Sequence, residues 1–128
     1  MAFSFILRLP IPKMGDKYLK IFTQEKIRLK SVEFEMLKLV HAKTEYYSGK
    51  MSKEELDERA WEPYLERLLK NEVNSYVESD DDIIRMKQQV VLIEEKIHYL
   101  DAVIRMINNR GFQIKNALDW LKFSHGNN

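Results

Sequence analysis

The sequence has no cysteine, and only four glycines and three prolines among its 128 residues. Disulfide staples, thiolate metal sites and cysteine nucleophiles are therefore excluded. So few punctuating residues cannot serve the many turns of a multi-stranded sheet, which favours long helices. No apolar run approaches the roughly 18 residues of a membrane span. The longest are Phe3–Leu7, with a serine inside, and Val90–Ile93. The first nine residues lack a basic n-region and Arg8 cuts their apolar run short, so no signal peptide is expected and the cytoplasm is the default location.

The signatures of catalysis are equally sparse. Glycines at 15, 49, 111 and 126 cannot form a phosphate loop, and Ser48-Gly49-Lys50 lacks the upstream glycine of a Walker motif. His41, His98 and His125 have no ligand spacing, and there is no Gly-x-Ser-x-Gly turn. Asp80-Asp81-Asp82 lacks the glycine and the spaced ligands of a calcium loop. Neither an enzyme nor a bound cofactor is expected.

What is present is a chain 45% hydrophobic and 32% charged, of a size that suits one domain. Its net charge of +1 hides an uneven distribution. Residues 13–50 carry +4, residues 51–82 carry −7, and residues 83–128 carry +3. Local fields, not the total, then decide partners.

From Asp16 to Tyr47, residues Tyr18, Ile21, Phe22, Leu29, Val32, Met36, Leu39, Val40 and Tyr47 share a helical arc of roughly 100°. Asp16 suits the N-cap and Gly49 the left-handed position after the last turn. Such a helix is about 48 Å long and calls for an antiparallel partner. Ser52 with Glu55 forms a capping box, and 53–77 reads as a helix broken or kinked near Pro63. The Asp80–Asp82 triplet reads as the start of another helix. From there to Asn109, Ile83, Met86, Val90, Ile93, Ile97, Leu100, Ile104 and Ile107 alternate steps of three and four, the seven-residue repeat of a helix-packing seam. Arg110-Gly111 marks a break, after which Phe112–Phe123 reads as a short helix apolar on too many sides for one hairpin. The fold class is all-α: long antiparallel helices with a coiled-coil-like seam and a short C-terminal helix. The whole forms one domain, with a leading segment 1–15, a helical body 16–109 and a C-terminal helix 110–124.

Lys13, Lys17, Lys20, Arg28 and Lys38 lie within an arc of about 80° beside the apolar stripe, a cationic line some 38 Å long. Such a line can neutralise phosphates and release their counterions. At its end, Lys43 falls at the centre of the apolar arc, where a lone cation is costly unless the helix end projects from the core. Tyr46 and Tyr47 beside Lys43 and Lys50 offer ring faces next to positive charge, the combination that holds single strands. The residues equally allow the tyrosines to pack under the helix end while the lysines reach outward.

Ala42-Lys43, then Glu45-Tyr46-Tyr47-Ser48-Gly49-Lys50, an acidic middle, and Arg110-Gly111-Phe112-Gln113-Ile114-Lys115 together resemble the UvsY family of recombination mediators of T-even-type phages. The resemblance runs from about Asp16 to the C-terminus. It implies a ring-like homo-oligomer, a hexamer or heptamer, held through the C-terminal region. It also implies binding of single-stranded DNA and contacts with a phage RecA-like recombinase and a phage single-strand-binding protein. A mediator of this kind serves DNA recombination, repair and replication in the cytoplasm of the infected bacterial host, without hydrolysing nucleotide. The family's basic motif falls on His41 and Lys43, with histidine standing where a fixed cation is usual. Residues 1–12 match nothing in the family; Phe3, Phe5, Leu7 and Leu9 alternate like a short edge strand or a docked tail.

Expected DNA contacts are thus Lys17, Lys20, Arg28, Lys38, His41, Lys43, Tyr46, Tyr47 and Lys50. Expected assembly contacts are Ile97, Leu100, Ile104 and Ile107 of the seam, with Phe112, Ile114, Leu118, Trp120 and Leu121. The alternative is a helical scaffold or adaptor whose acidic middle binds basic proteins and which never touches DNA.

Overall fold

The computed structural model describes residues 11–126, with side chains from 15 to 125. The alternating Phe3–Leu9 pattern lies outside the described residues. Among the described residues four helices succeed one another in chain order: α1 (Ile11–Tyr47), α2 (Lys53–Arg59), α3 (Lys70–Glu78) and α4 (Asp81–Gly126). Among the described residues there is no strand, and no helix is long and apolar enough to cross a membrane.

The apolar arc of α1 is the packed side of that helix. Val32 is buried and the eight other members of the arc are half-buried, whereas Leu19, Ile27, Phe34 and Leu37, off the arc, are exposed. The start differs from expectation, since α1 begins ahead of Asp16. Pro12 is no obstacle, because a first-turn N–H has no intrahelical acceptor to lose. The other end matches expectation. Gly49 takes φ +72°, and Lys50 N–H donates to the Glu45 carbonyl (3.0 Å) while Gly49 N–H donates to that of Tyr46 (3.1 Å). This is the Schellman arrangement that satisfies the last carbonyls of a helix.

Ser52 caps α2, its hydroxyl accepting from Glu55 N–H at 3.2 Å. Of the broken or kinked helix expected over 53–77, the structure shows the broken form. Residues 60–69 leave the helix altogether, and α3 starts afresh at Lys70. Proline lacks the donor and clashes with the preceding turn, and Ala60 has already turned the chain into the left-handed region at φ 56°, ψ 40°.

Arg110-Gly111 does not break α4. One helix continues to Gly126, so the separate C-terminal helix is corrected to an extension. A single glycine costs a helix only about 1 kcal/mol, and Ile114, Leu118 and Leu121 hold the heptad phase through it.

The chain forms two units, one built from the segment ending at Ile27 with the segment starting at Glu94, the other from Arg28–Ile93. In the first, Leu100, Val103 and Ile107 are buried and Ile97 and Ile104 half-buried, and Lys96 of α4 donates to Glu25 of α1 at 2.9 Å. In the second, Val73, Val77 and Ile83 form a core covered by Leu39, Val40, Tyr47 and Leu68. The assembly role expected of Leu100 and Ile107 is therefore corrected. Leu100 and Ile107 already pack inside their own subunit, where another copy cannot reach them.

Candidate nucleic-acid interface

The end of α1, the turn after it and α2 lie in the Arg28–Ile93 unit, and they sort the expected DNA residues into two groups. The first group is enclosed. Lys43 is only 5% exposed. Its ammonium lies 3.1 Å from Asp80 Oδ2 and 2.9 Å from Asp82 Oδ2, and 4.0 Å from the centroid of the Trp61 ring. A buried charge needs such partners. The carboxylates come from the start of α4, where Asp80 is the cap: its Oδ1 accepts from Asp82 N–H (2.9 Å) and Ile83 N–H (3.3 Å). Its Oδ2 accepts from the Tyr47 hydroxyl at 2.6 Å as well as from Lys43. Burial alone pushes the Asp80 carboxyl up. The Tyr47 hydroxyl, the Lys43 ammonium and the Ile83 N–H outweigh it and hold the group below the usual carboxylate range. For Tyr47, burial first and then the Asp80 carboxylate push the phenol well above its ordinary value.

The tyrosine pair is not an open stacking platform either. Tyr46 and Tyr47 meet edge-on at 5.1 Å between centroids, and Tyr46 lies 5.3 Å from Trp61 and 5.6 Å from Tyr64. Tyr47 meets Tyr64 at 5.0 Å and Tyr76 at 5.8 Å. The Tyr46 hydroxyl donates to the Glu62 carbonyl at 2.5 Å. These rings tie the 60–69 segment to α1. Lys43, Tyr46 and Tyr47 are thus corrected from strand contacts to parts of a packed cluster: the neutralising carboxylates lie far along the chain, where sequence spacing does not pair them.

The second group is open. Lys38, His41 and Lys50 are exposed and line one groove of about 630 Å³, whose other wall is Glu55, Glu58 and Arg59 of α2, with Leu37, Ala42, Glu45 and Met51 between. None of the three makes an ion pair within 4 Å among the described residues. Of the remaining line, Lys17 and Lys20 are exposed in the first unit and Arg28 in the second. Arg59 is the residue that sequence reasoning passed over, because it sits in the acidic middle. Its nearest signal was its place in the last turn of a capped helix, next to a tryptophan. No cluster of three or more His, Asp or Glu able to hold a metal occurs among the described residues.

A profile described as "Recombination, repair and ssDNA binding protein UvsY" matches residues 7–127, so the match starts ahead of the expected Asp16 and takes in residues 7–12, which were expected to match nothing in the family. No curated protein matches the chain. Among solved structures, the crystal structure of the bacteriophage T4 recombination mediator protein UvsY is similar, with a TM-score of 0.52 and 17% sequence identity. The similarity covers 94% of this chain and 92% of that one, and at this identity it speaks to the fold alone.

Proposed function

The chain belongs to the UvsY family, and from that membership we propose that it is a recombination mediator. It binds single-stranded DNA and helps load a RecA-like phage recombinase onto strands covered by single-strand-binding protein, inside the infected bacterial cell, and catalyses no reaction itself. The observation that carries this reading is the match of nearly the whole chain to a family described by recombination, repair and single-strand binding. The groove bearing Lys38 and Lys50 supports it, since exposed cations without ion pairs are free to take phosphates.

Each subunit offers few cations, so the reading includes a ring-like homo-oligomer, a hexamer or heptamer, that repeats them. Repetition raises avidity by roughly 10²–10⁴ without any new contact. Phe112, Ile114, Leu118, Trp120 and Leu121 join the subunits in this reading. All five are exposed on the last part of α4, from 41% at Ile114 to 66% at Trp120, and large contiguous apolar surface favours a protein partner. Wrapping on such a ring extends the strand, loosens its hold on the binding protein and presents it to recombinase.

Fluorescence anisotropy of a labelled oligo-dT across a salt series tests this. Each neutralised phosphate contributes a slope of about −0.7 in log affinity against log salt. Lys38→Ala/Lys50→Ala is expected to weaken binding and flatten that slope. Affinity that ignores salt, or a double variant that binds like the parent, refutes the reading.

A further inference from the structure

Trp61 holds two cations that serve different surroundings. Lys43 Nζ lies 4.0 Å from the ring centroid and is shut in with Asp80 and Asp82. The Arg59 guanidinium carbon lies 5.0 Å from the same centroid, and exposed Arg59 lines the same groove as Lys38, His41 and Lys50. The backbone sets where Trp61 stands in the chain. Ala60 sits in the left-handed region, and Trp61 N–H donates to the Leu56 carbonyl at 3.0 Å, closing α2 directly behind Arg59. A residue other than glycine held in that region marks a geometry that its surroundings impose.

Resting on the single-strand reading above, we propose that Arg59 is a phosphate ligand of this groove and that buried Lys43 positions it through Trp61. Free arginine side chains sample many rotamers, and stacking on an aromatic face narrows them. Arg59 makes no ion pair within 4 Å among the described residues, so its donor fork remains available to a planar or tetrahedral anion. The ring stays in place because Lys43 lies against it, and Lys43 stays because two carboxylates hold it. Loss of the buried ammonium therefore reaches the groove one residue from the tryptophan. Lys43 is a positioning residue; Arg59 makes the contact.

A mutant cycle on oligo-dT binding, read as the salt slope, tests both halves. Arg59→Ala is expected to weaken binding several-fold and reduce the slope by about 0.7, one single-strand phosphate contact. Lys43→Met is expected to do the same, and the double variant to lose nothing further, because the two changes remove one contact. Lys43→Arg, which keeps the charge and the ring contact, restores the slope. Asp82→Asn weakens binding too, whereas a Lys43 that met DNA directly would bind more tightly once released from that carboxylate. Slope losses that add in the double variant, or an Arg59→Ala protein with an unchanged slope, overturn the proposal. Should circular dichroism show Lys43→Met to be unfolded, Trp61→Leu replaces it in the cycle and is read by the same two outcomes. A parent chain that fails to bind oligo-dT, or binds it with an affinity that ignores salt, removes the mediator reading and this inference together; the outcomes for the Arg59, Lys43, Asp82 and Trp61 variants leave that reading standing.

Discussion

Lys43→Ala removes an ammonium whose side chain is 7% exposed and leaves Asp80, equally enclosed, without its cation. Removing one partner of a buried pair costs about 3–5 kcal/mol, because the remaining charge has neither solvent nor counter-charge. The lower end, about 3 kcal/mol, is expected. Asp80 keeps the Tyr47 hydroxyl and two backbone donors, and Asp82, with 39% of its side chain exposed, can rehydrate. Measured against a total stability of about 5–15 kcal/mol, that is a large fraction. For a chain of this length it corresponds to a fall in Tm of about 10 °C. Urea unfolding followed at 222 nm gives the value directly. Lys43→Met/Asp80→Asn supplies the control, since removing both charges costs less than stranding one. A Lys43→Ala protein within about 0.5 kcal/mol of the parent would behave as a surface substitution does, and would refute the enclosed pair.

Acid unfolding has a defined direction at the same place. Asp80 is held below its ordinary value in the folded chain, so its contribution is complete above an unfolded pKa of about 3.9 and fades as pH falls through the folded value; Asp80→Asn flattens that limb of a stability–pH curve. Tyr47 titrates the other way. Its raised phenol contributes fully below about pH 10 and loses that contribution as pH climbs beyond, a limb that Tyr47→Phe removes. Ala60→Gly is expected to stabilise by about 0.5 kcal/mol: relief of the left-handed alanine at φ 56° exceeds the added freedom of the unfolded chain. An unchanged denaturation midpoint would count against strain there. Ile107→Asp buries a charge at a site 3% exposed and is expected to unfold the subunit, whereas Trp120→Ser lowers the sedimenting mass and leaves the subunit folded.

Much of the fold was legible because α1 and α4 each bury one periodic stripe, and periodicity survives without knowledge of the partner. The Ser52 cap, the Gly49 turn and the aspartate start of α4 were legible for a related reason: each is local chemistry within a few residues. Gly111 misled, since one glycine in a long helix is outweighed by a stripe that keeps phase across it. At Pro63 the choice between a break and a kink stayed open because nothing nearby announced Ala60 in the left-handed region. Lys43 was the most informative anomaly. A cation at the centre of an apolar arc was read as projection from the core, and a hidden counter-charge is the other way to lower its cost. Choosing between these needed the contact between Lys43 and an aspartate pair nearly forty residues away. Arg59 required the same kind of knowledge, because its setting depends on a ring held from another helix.

Every residue from Phe112 to His125 is exposed, so the closing turns of α4 gain nothing from their own subunit's interior. An isolated helical stretch of that length is marginal in water. In the proposed oligomer, secondary structure there and association with a neighbour would form a single equilibrium governed by mass action. Dilution would unwind those turns as subunits part, and backbone amides beyond Gly111 would exchange with solvent at rates set by how much protein is in the tube.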